Sequence, residues 1–529
     1  MSRTDVVVVG AGVGGLVAAI DLAAAGLAVT VCETTAHVGG KLAAVVVDGR
    51  SIDAGPTVLT MRWVFEALFA DAGMDLSHEV PMRRAEVLAR HWWRDGACLD
   101  LHADLERAVD AIGRFAGASQ ARAYRGFVGR SARIYETLEA PFLKAERPSV
   151  ASLVARIGPH RLDRLIGIRP FSSFWSSLDA CFGDARLRQL FGRYATYCGS
   201  SPFDAPATLM LVAHVEREGV WLVDGGMTRL ADALARVARA LGVVLRNDCP
   251  VARIRVEHGR VAGVELSGDE RIDARCVVAN ADARALAQGL LGADVCGAVP
   301  GVQDAKPSLS AVTWALLART EGVELTRHNV FFSDDYRAEF DDLLVRARLP
   351  LQPTVYVCAQ DRDAHADRTP GSAGHVGIGP AADAVAGERL FCLVNAPATA
   401  HGSEPVSNED IRRCEQTVWR HLDRCGLRLN RSATATPVAS GPAQFGRRFP
   451  GTGGALYGPI SAGWRTTFAR PGSRTTIPGL YLAGGSVHPG PGVPMAALSG
   501  RLAAASLLRD RTSAYRSAPA AMRGGTAMR

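Results

Sequence analysis

Residues 5–15 read Asp5-Val6-Val7-Val8-Val9-Gly10-Ala11-Gly12-Val13-Gly14-Gly15. The valine run describes a parallel strand buried on both faces. Gly10, Gly12 and Gly15 then fall at the G-x-G-x-x-G spacing, with Gly14 beside them. In such a turn the first glycine permits a tight bend and the second lets a pyrophosphate approach the backbone. The third lets the following helix close on the strand. That helix carries Leu16, Ala19, Ile20 and Ala23 on one apolar face, and Gly26 supplies its stop. Its amino-terminal amides and dipole face the phosphates. A second strand over 28–32 ends at Glu33, where a carboxylate reaches the ribose hydroxyls of an adenosine.

A second glycine-rich segment stands late in the chain. Gly479-Leu480-Tyr481-Leu482-Ala483 reads as a short strand and runs into Gly484-Gly485-Ser486, then Pro489-Gly490-Pro491-Gly492-Val493-Pro494. Pro494 suits the first turn of a helix, which continues to about Leu508. The start of that helix points its positive end at the place where negative charge collects on a reduced flavin. Read with the acid at Glu33, the two segments hold one long dinucleotide, FAD. Between them, Trp221–Met227 leads into a helix bearing Leu230, Leu234, Val237 and Leu241. Strands follow at 243–246, 250–255, 261–266 and 275–279, with a His258-Gly259 turn. Val45–Ile52 reads as a hairpin about Asp48-Gly49.

With these residues in view, the chain resembles the bacterial phytoene desaturase family of FAD-dependent carotenoid desaturases over nearly its whole length. The resemblance rests on Gly10–Gly15, Glu33, Gly39-Gly40-Lys41, Asp53–Thr57, Trp221–Met227, Gly453–Pro459 and Gly479–Pro494. The stretch Ala54–Phe65 is similar to the 1-hydroxycarotenoid 3,4-desaturase branch. The resemblance implies an α/β fold: a Rossmann-like FAD-binding domain of the amine oxidase/phytoene desaturase type, built from discontinuous segments, with a mixed sheet-plus-helices substrate domain. The FAD-binding segments are then 1–64, 220–285 and 441–512. A helical, membrane-facing substrate segment fills 65–219, a substrate-domain sheet fills 286–440, and 513–529 is a disordered basic tail.

Several roles follow from the same resemblance. Gly39, Gly40 and Lys41 lie by the cofactor phosphates, with Lys41 a point charge where arginine is commoner. Gly55, Pro56 and Thr57 lie beside the flavin, Val251 meets the adenine, and Gly484, Gly485, Gly492, Val493 and Pro494 complete the far side. The reaction is an alkane-to-alkene oxidation in which flavin N5 takes a hydride and a neighbouring carbon loses a proton. A polyene stabilises the developing cation by delocalisation, so no strong side-chain base is required. Asp53, Arg62 and His488 are the candidate catalytic residues near the flavin, with packing or capping the alternative for His488. Oxygen or a membrane quinone takes the electrons.

The substrate implied is a long apolar carotenoid, which needs a tunnel and a door to a membrane. Pro141–Leu143, Leu165–Ile168, Phe171–Trp175 and Leu209–Val212 are candidates for its lining. Arg156, His160, Arg161, Arg164 and Arg169 bracket one of these patches, as on a helix lying against lipid. Core residues with solvated arginines describe the same pattern. Helical spacing recurs at 105–116, 119–135, 150–157, 176–178 and 184–194, and paired strands flank Asp95-Gly96. Further strands are predicted at 310–318, 329–332, 354–359 and 390–396, then a helix at 408–425 and a loop at 397–405 containing His401. Together these make a sheet roofing the flavin, with helices on its far side.

Composition narrows the alternatives. The 529 residues carry a net charge of +7 and are 48% hydrophobic, which fits a protein with a large core and more than one domain. No dense basic stripe accompanies the charge, so nucleic acid is not an expected partner. The eleven cysteines contain no C-x-x-C, which suggests free thiols in a reducing compartment and no metal site. Neither a cleaved leader nor a spanning apolar run is expected. The predicted location is cytoplasmic, peripheral to the inner or photosynthetic membrane. Competing functions are an amine oxidase, isomerase or saturase on the same scaffold, and a non-catalytic lipid carrier. An amine oxidase wants an aromatic cage at the flavin, and a saturase a second dinucleotide motif, which the sequence lacks.

Overall fold

The computed structural model describes residues 4–157, 171–362, 387–399, 406–431 and 436–517. Val6–Val9 is fully buried and forms the middle of a five-stranded sheet. It pairs in parallel with Cys276–Ala279 on one side and Val29–Cys32 on the other. Leu480–Leu482 extends the first flank and Val244–Arg246 the second, both in parallel. Strands from the beginning, middle and late parts of the chain therefore share one sheet.

The helix Val13–Ala24 follows the first strand, and Gly26 continues past its end at φ +83°, a conformation that favours glycine. The helix Val493–Ser517 lies across it. A Cβ added to Gly500 would lie 2.3 Å from the Gly14 carbonyl oxygen, so only glycine allows this approach. This helix extends five residues into the stretch expected to be a disordered tail, because Asp510 ties it to Arg474 and Tyr481 on the sheet side. Residues 518–529 lie outside the described residues.

A larger mixed sheet faces this layer. Its order is Leu427–Arg431, Ser310–Gly322, Glu388–Ala396, Val355–Ala359, His328–Phe331, Val87–Trp92, Cys98–His102, and Val438–Ser440 also pairs with Ser310–Gly322. Only His328–Phe331 and Val87–Trp92 run parallel. Ser310–Gly322 shows the period-two division of a sheet. Val312, Trp314 and Leu316 pack under the helix Asn408–Arg424, while Ala315 and Leu317 meet the hairpin residues Val47 and Ile52. That hairpin spans Ala44–Asp53 and turns through Asp48 and Gly49, both at positive φ.

The remaining segment is helical. Leu105–Ala116, Ala118–Leu138, Phe174–Asp179, Ala185–Gly192 and Leu211–Glu218 enclose a core of Phe127, Phe174, Phe182 and Phe191. Asp104, Ser173 and Asp184 cap three of these helices by accepting backbone N–H bonds. After Leu138 the chain passes into a π-helical turn, Glu139–Leu143, which contains Pro141 and buries Phe142 and Leu143. The predicted lining stretch 165–168, with His160, Arg161, Arg164, Arg169 and His401, lies outside the described residues.

Candidate active site

The carboxyl ends of the parallel strands and the mixed sheet enclose one cavity of about 1450 Å³. Pockets for a single drug-sized ligand measure roughly 300–1,000 Å³, so this space is larger than one such ligand needs. Val9 and Gly10, Glu33, Asn280 and Gly484 line it, each at the end of a different strand. This is the crevice in which open α/β sheets bind ligands.

Asn280 organises the glycines around it. A Cβ on Gly12, Gly14, Gly15 or Gly484 would come within 2.7–3.1 Å of the Asn280 side chain. The glycines thus make room for this asparagine as well as for any ligand. Gly15 does not line the cavity. Its Cβ would lie 2.1 Å from the Gly10 carbonyl oxygen, so it serves helix-on-strand packing. Gly10, Gly12, Gly14, Gly39, Gly40, Lys41, Gly55, Pro56, Thr57, Val251, Gly484, Gly485, Gly492, Val493 and Pro494 all border the same space. Glu33 is fixed there by bonds from the Ala11 N–H at 2.7 Å and the Thr35 N–H at 3.0 Å.

Three cations converge on this glycine-rich end: Lys41, Arg448 and Arg470. None makes an ion pair with a carboxylate among the described residues. Lys41 Nζ donates to the Leu456 carbonyl and Arg448 to that of Gly40. Arg470 donates to the carbonyls of Gly485, Tyr457 and Pro459, at 3.2, 3.1 and 2.7 Å. Burial pushes the pKa of all three down, that of Arg470 to about 10. Cations met by carbonyl oxygens and, for Lys41 and Arg448, by the Phe449 ring, beside turns kept open by glycine, fit a dianionic pyrophosphate. Sequence reasoning missed Arg448, Arg470 and Asn280. Only Asn280 carried a signal, its place at the carboxyl end of a core strand.

The three candidate catalytic residues do not line this space. Asp53 turns away to the helix Thr228–Ala240, where its carboxylate accepts the Met227 N–H at 2.8 Å. Its backbone N–H and carbonyl are both taken by the Gln360 amide. Asp53 is therefore a buried anchor at a helix start. Arg62 pairs with Glu66 at 3.0 Å, bonds the Ser77 hydroxyl and lies over the Trp221 ring. His488 donates from Nε2 to the Phe142 carbonyl at 2.9 Å and meets the Phe142 ring edge-on. Burial lowers its pKa to about 4, which favours the neutral ring packed on Phe142.

Beyond the glycine-rich end the lining becomes apolar, with Leu138, Phe142, Leu143, Leu209, Leu211 and Val212. The stretches 141–143, 171–175 and 209–212 each contribute to it. At its rim Phe171 is 78% exposed and meets Trp464 edge-on. A polar cluster interrupts the apolar wall. Thr57 Oγ1 shares a 2.7 Å hydrogen bond with Tyr356 Oη, which also lies 2.7 Å from His328 Nδ1. Arg193 donates to Tyr197 Oη at 2.9 Å, and Glu216 accepts from Tyr194 and Tyr197. Of these residues only Thr57 was marked in the sequence, in the loop placed beside the flavin; the others sit on strand and helix faces that no spacing marked.

The profile of the family described as "Flavin containing amine oxidoreductase" matches residues 13–508. A hydroxyneurosporene desaturase of Rubrivivax gelatinosus is 49% identical, over 99% of this chain and 97% of its own length. Another from Cereibacter sphaeroides is 42% identical, over 97% and 99%. Among solved structures, an oxidoreductase from Methanosarcina mazei superposes with a TM-score of 0.60 at 15% identity, covering 96% of this chain and all of that one.

Proposed function

The chain belongs to the flavin containing amine oxidoreductase family, and from that premise we propose that it is an FAD-dependent carotenoid desaturase forming the 3,4 double bond of a 1-hydroxycarotenoid. The observation that carries this reading is one continuous cavity, glycine-rich and cationic at one end and apolar at the other. The two hydroxyneurosporene desaturases similar to it over nearly full length support the substrate class.

FAD, when bound, supplies the hydride acceptor, its flavin N5. The chain's own residues do the rest. The amides of the Gly10–Gly14 turn and of Gly484–Gly485 receive the pyrophosphate, and Lys41, Arg448 and Arg470 neutralise it. Glu33 takes the ribose hydroxyls, and Val251 the adenine. Gly55, Pro56 and Thr57, with the helix start at Gly492-Val493-Pro494, would hold the ring system. A Cβ on Gly55 would lie 2.0 Å from the Lys41 carbonyl oxygen, so the phosphate-side and ring-side loops pack as one unit. The apolar walls orient the polyene and exclude water, which leaves proton loss to a carbon already activated by conjugation.

The rim of Phe171, Val150 and Val154, exposed by 78%, 47% and 38%, supports seating of the mouth on a membrane surface, from which a carotenoid enters. No helix among the described residues is long and apolar enough to cross a membrane. Oxygen or a membrane quinone completes the electron balance.

Two measurements test the function. Purified protein is expected to be yellow, with absorption that bleaches on reduction. A colourless preparation that FAD does not reconstitute leaves a lipid carrier as the better reading. Holoenzyme supplied with membranes is then given 1-hydroxyneurosporene, neurosporene or phytoene. A 3,4-dehydrogenated product from the first is expected, whereas conversion of phytoene alone moves the assignment to phytoene desaturation.

A further inference from the structure

The helix Tyr336–Leu344 closes one side of the cavity. Tyr336 and Glu339 stand three residues apart, so they share a helix face. Both line the cavity and both are nearly sealed from solvent, at 7% and 2% exposure. Glu339 Oε2 is held by the hydroxyls of Ser333 and Thr354 at 2.8 and 2.7 Å. Its other oxygen, Oε1, has no hydrogen-bond partner among the described residues, and neither has Tyr336 Oη. A buried polar atom left unpaired costs about 1–3 kcal/mol, and buried polar groups are normally satisfied. Both side chains border the cavity, the nearest space from which a partner for these atoms can come.

One acceptor beside one phenolic donor is the complement of a hydroxyl, which offers one proton and two lone pairs. A carboxylate would be repelled by Glu339, and a hydrocarbon end would leave both atoms unpaired. We propose that Tyr336 and Glu339 form a subsite for a hydroxyl at the end of the polyene, which donates to Glu339 Oε1 and accepts from Tyr336 Oη. The subsite rests on the desaturase reading above and adds the residues that select its substrate.

Its position suits the reaction. Thr354 leads into the strand Val355–Ala359 and bonds Glu339, while Tyr356, two residues on, bonds Thr57. Residues two apart in an extended chain share a face at about 7 Å. The subsite is thus one strand step from the loop assigned to the flavin. The 3,4 bond of a 1-hydroxylated chain is likewise only two carbons from the carbon bearing the hydroxyl. Glu339 is pushed up to about 7 by burial, opposed by its hydroxyl partners, the Thr354 backbone N–H and Arg193. When protonated it donates to the hydroxyl's second lone pair, so the subsite holds a hydroxyl on either side of that value.

The test compares kcat/KM of the holoenzyme for 1-hydroxyneurosporene and for neurosporene, with flavin absorbance normalising for folded protein. Wild type is expected to favour the hydroxylated chain by about 100-fold or more, since unpaired polar atoms penalise the other. In Tyr336→Phe that ratio is expected to fall about tenfold. Glu339→Gln keeps an acceptor oxygen and is expected to lose less. Equal losses on both substrates in both variants, as for a residue that packs or holds a fixed water, overturn the subsite. A wild type that converts both substrates equally well also overturns it. A wild type that converts neither overturns the desaturase reading and the subsite with it.

Discussion

A Cβ built on Gly14 would lie 2.9 Å from the backbone nitrogen of Gly484. The turn after the Val6–Val9 strand and the loop after the Leu480–Leu482 strand are therefore in van der Waals contact across the cofactor crevice. Gly14→Val forces these two backbones apart, an overpacking cost of about 1–3 kcal/mol. FAD affinity is expected to fall at least about tenfold, because both walls of the pyrophosphate site shift. Equilibrium dialysis of FAD checks this, and unchanged occupancy at limiting FAD contradicts it.

Lys41 is a cation without a carboxylate partner among the described residues. Its desolvation opposes folding of the apoprotein and is repaid only when an anion binds. Lys41→Met is expected to weaken FAD binding about 10- to 100-fold, the range for one charged hydrogen bond. The apoprotein should be no less stable, so thermal melts with and without FAD separate the two effects. A loss of stability confined to the apoprotein would refute this account.

Asp53 acts on the fold. Asp53→Asn weakens its bond to the Met227 N–H and the charge–dipole attraction at the helix start, at about 1–2 kcal/mol. Turnover per bound flavin is expected to stay within about twofold of wild type, because the carboxylate faces away from the cavity. Arg62→Ala should behave similarly, with a stability loss of about 1–2 kcal/mol, since it removes a half-buried ion pair, the bond to Ser77 and the contact with the Trp221 ring. A hundredfold loss of turnover in either variant would restore a catalytic role.

Glu339 links stability to pH. Its pKa is raised from 4.5 to about 7 in the folded protein. Between those values the folded state holds a proton that the unfolded chain has released, so stability falls as pH rises through the window. The full effect is about 3 kcal/mol. Glu339→Gln removes it, so the variant should gain stability relative to wild type from pH 4.5 to 7. Urea midpoints of both proteins across that range measure the gain, and parallel curves would deny it.

Phe171 projects from the mouth of the apolar channel. Phe171→Ser removes a large apolar side chain, worth about 1.5–3 kcal/mol when fully buried. Binding to anionic vesicles is expected to weaken about tenfold, with turnover of detergent-solubilised carotenoid little affected. Equal sedimentation of wild type with and without vesicles would dismiss the membrane surface as a partner.

The sequence made the core legible wherever a residue type had one physical solution. Val6–Val9 could only be a doubly buried strand, and the Asp48-Gly49 pair turned the hairpin as its composition required. The glycine segments met because each leads from the carboxyl end of a strand in one sheet. Asp53, Arg62 and His488 misled because nearness along the chain does not fix where a side chain points. Asp53 lies two residues before Gly55, yet it faces the Met227 N–H and not the cavity. Arg470, Tyr336 and Glu339 were invisible for a related reason. An amphipathic helix with an acid on it, such as Tyr336–Leu344, reads the same whether that acid faces water or a buried channel.

The pairing of Leu480–Leu482 with Cys276–Ala279, and the seat of Val493–Ser517 on Val13–Ala24, have a consequence during synthesis. The dinucleotide turn at residues 10–15 is translated long before its opposite wall near residue 490. The nascent polypeptide therefore cannot capture its flavin as it grows. Insertion waits for the late strand and helix to clear the exit tunnel, and until then the Cys276–Ala279 strand must be shielded with one edge unpaired.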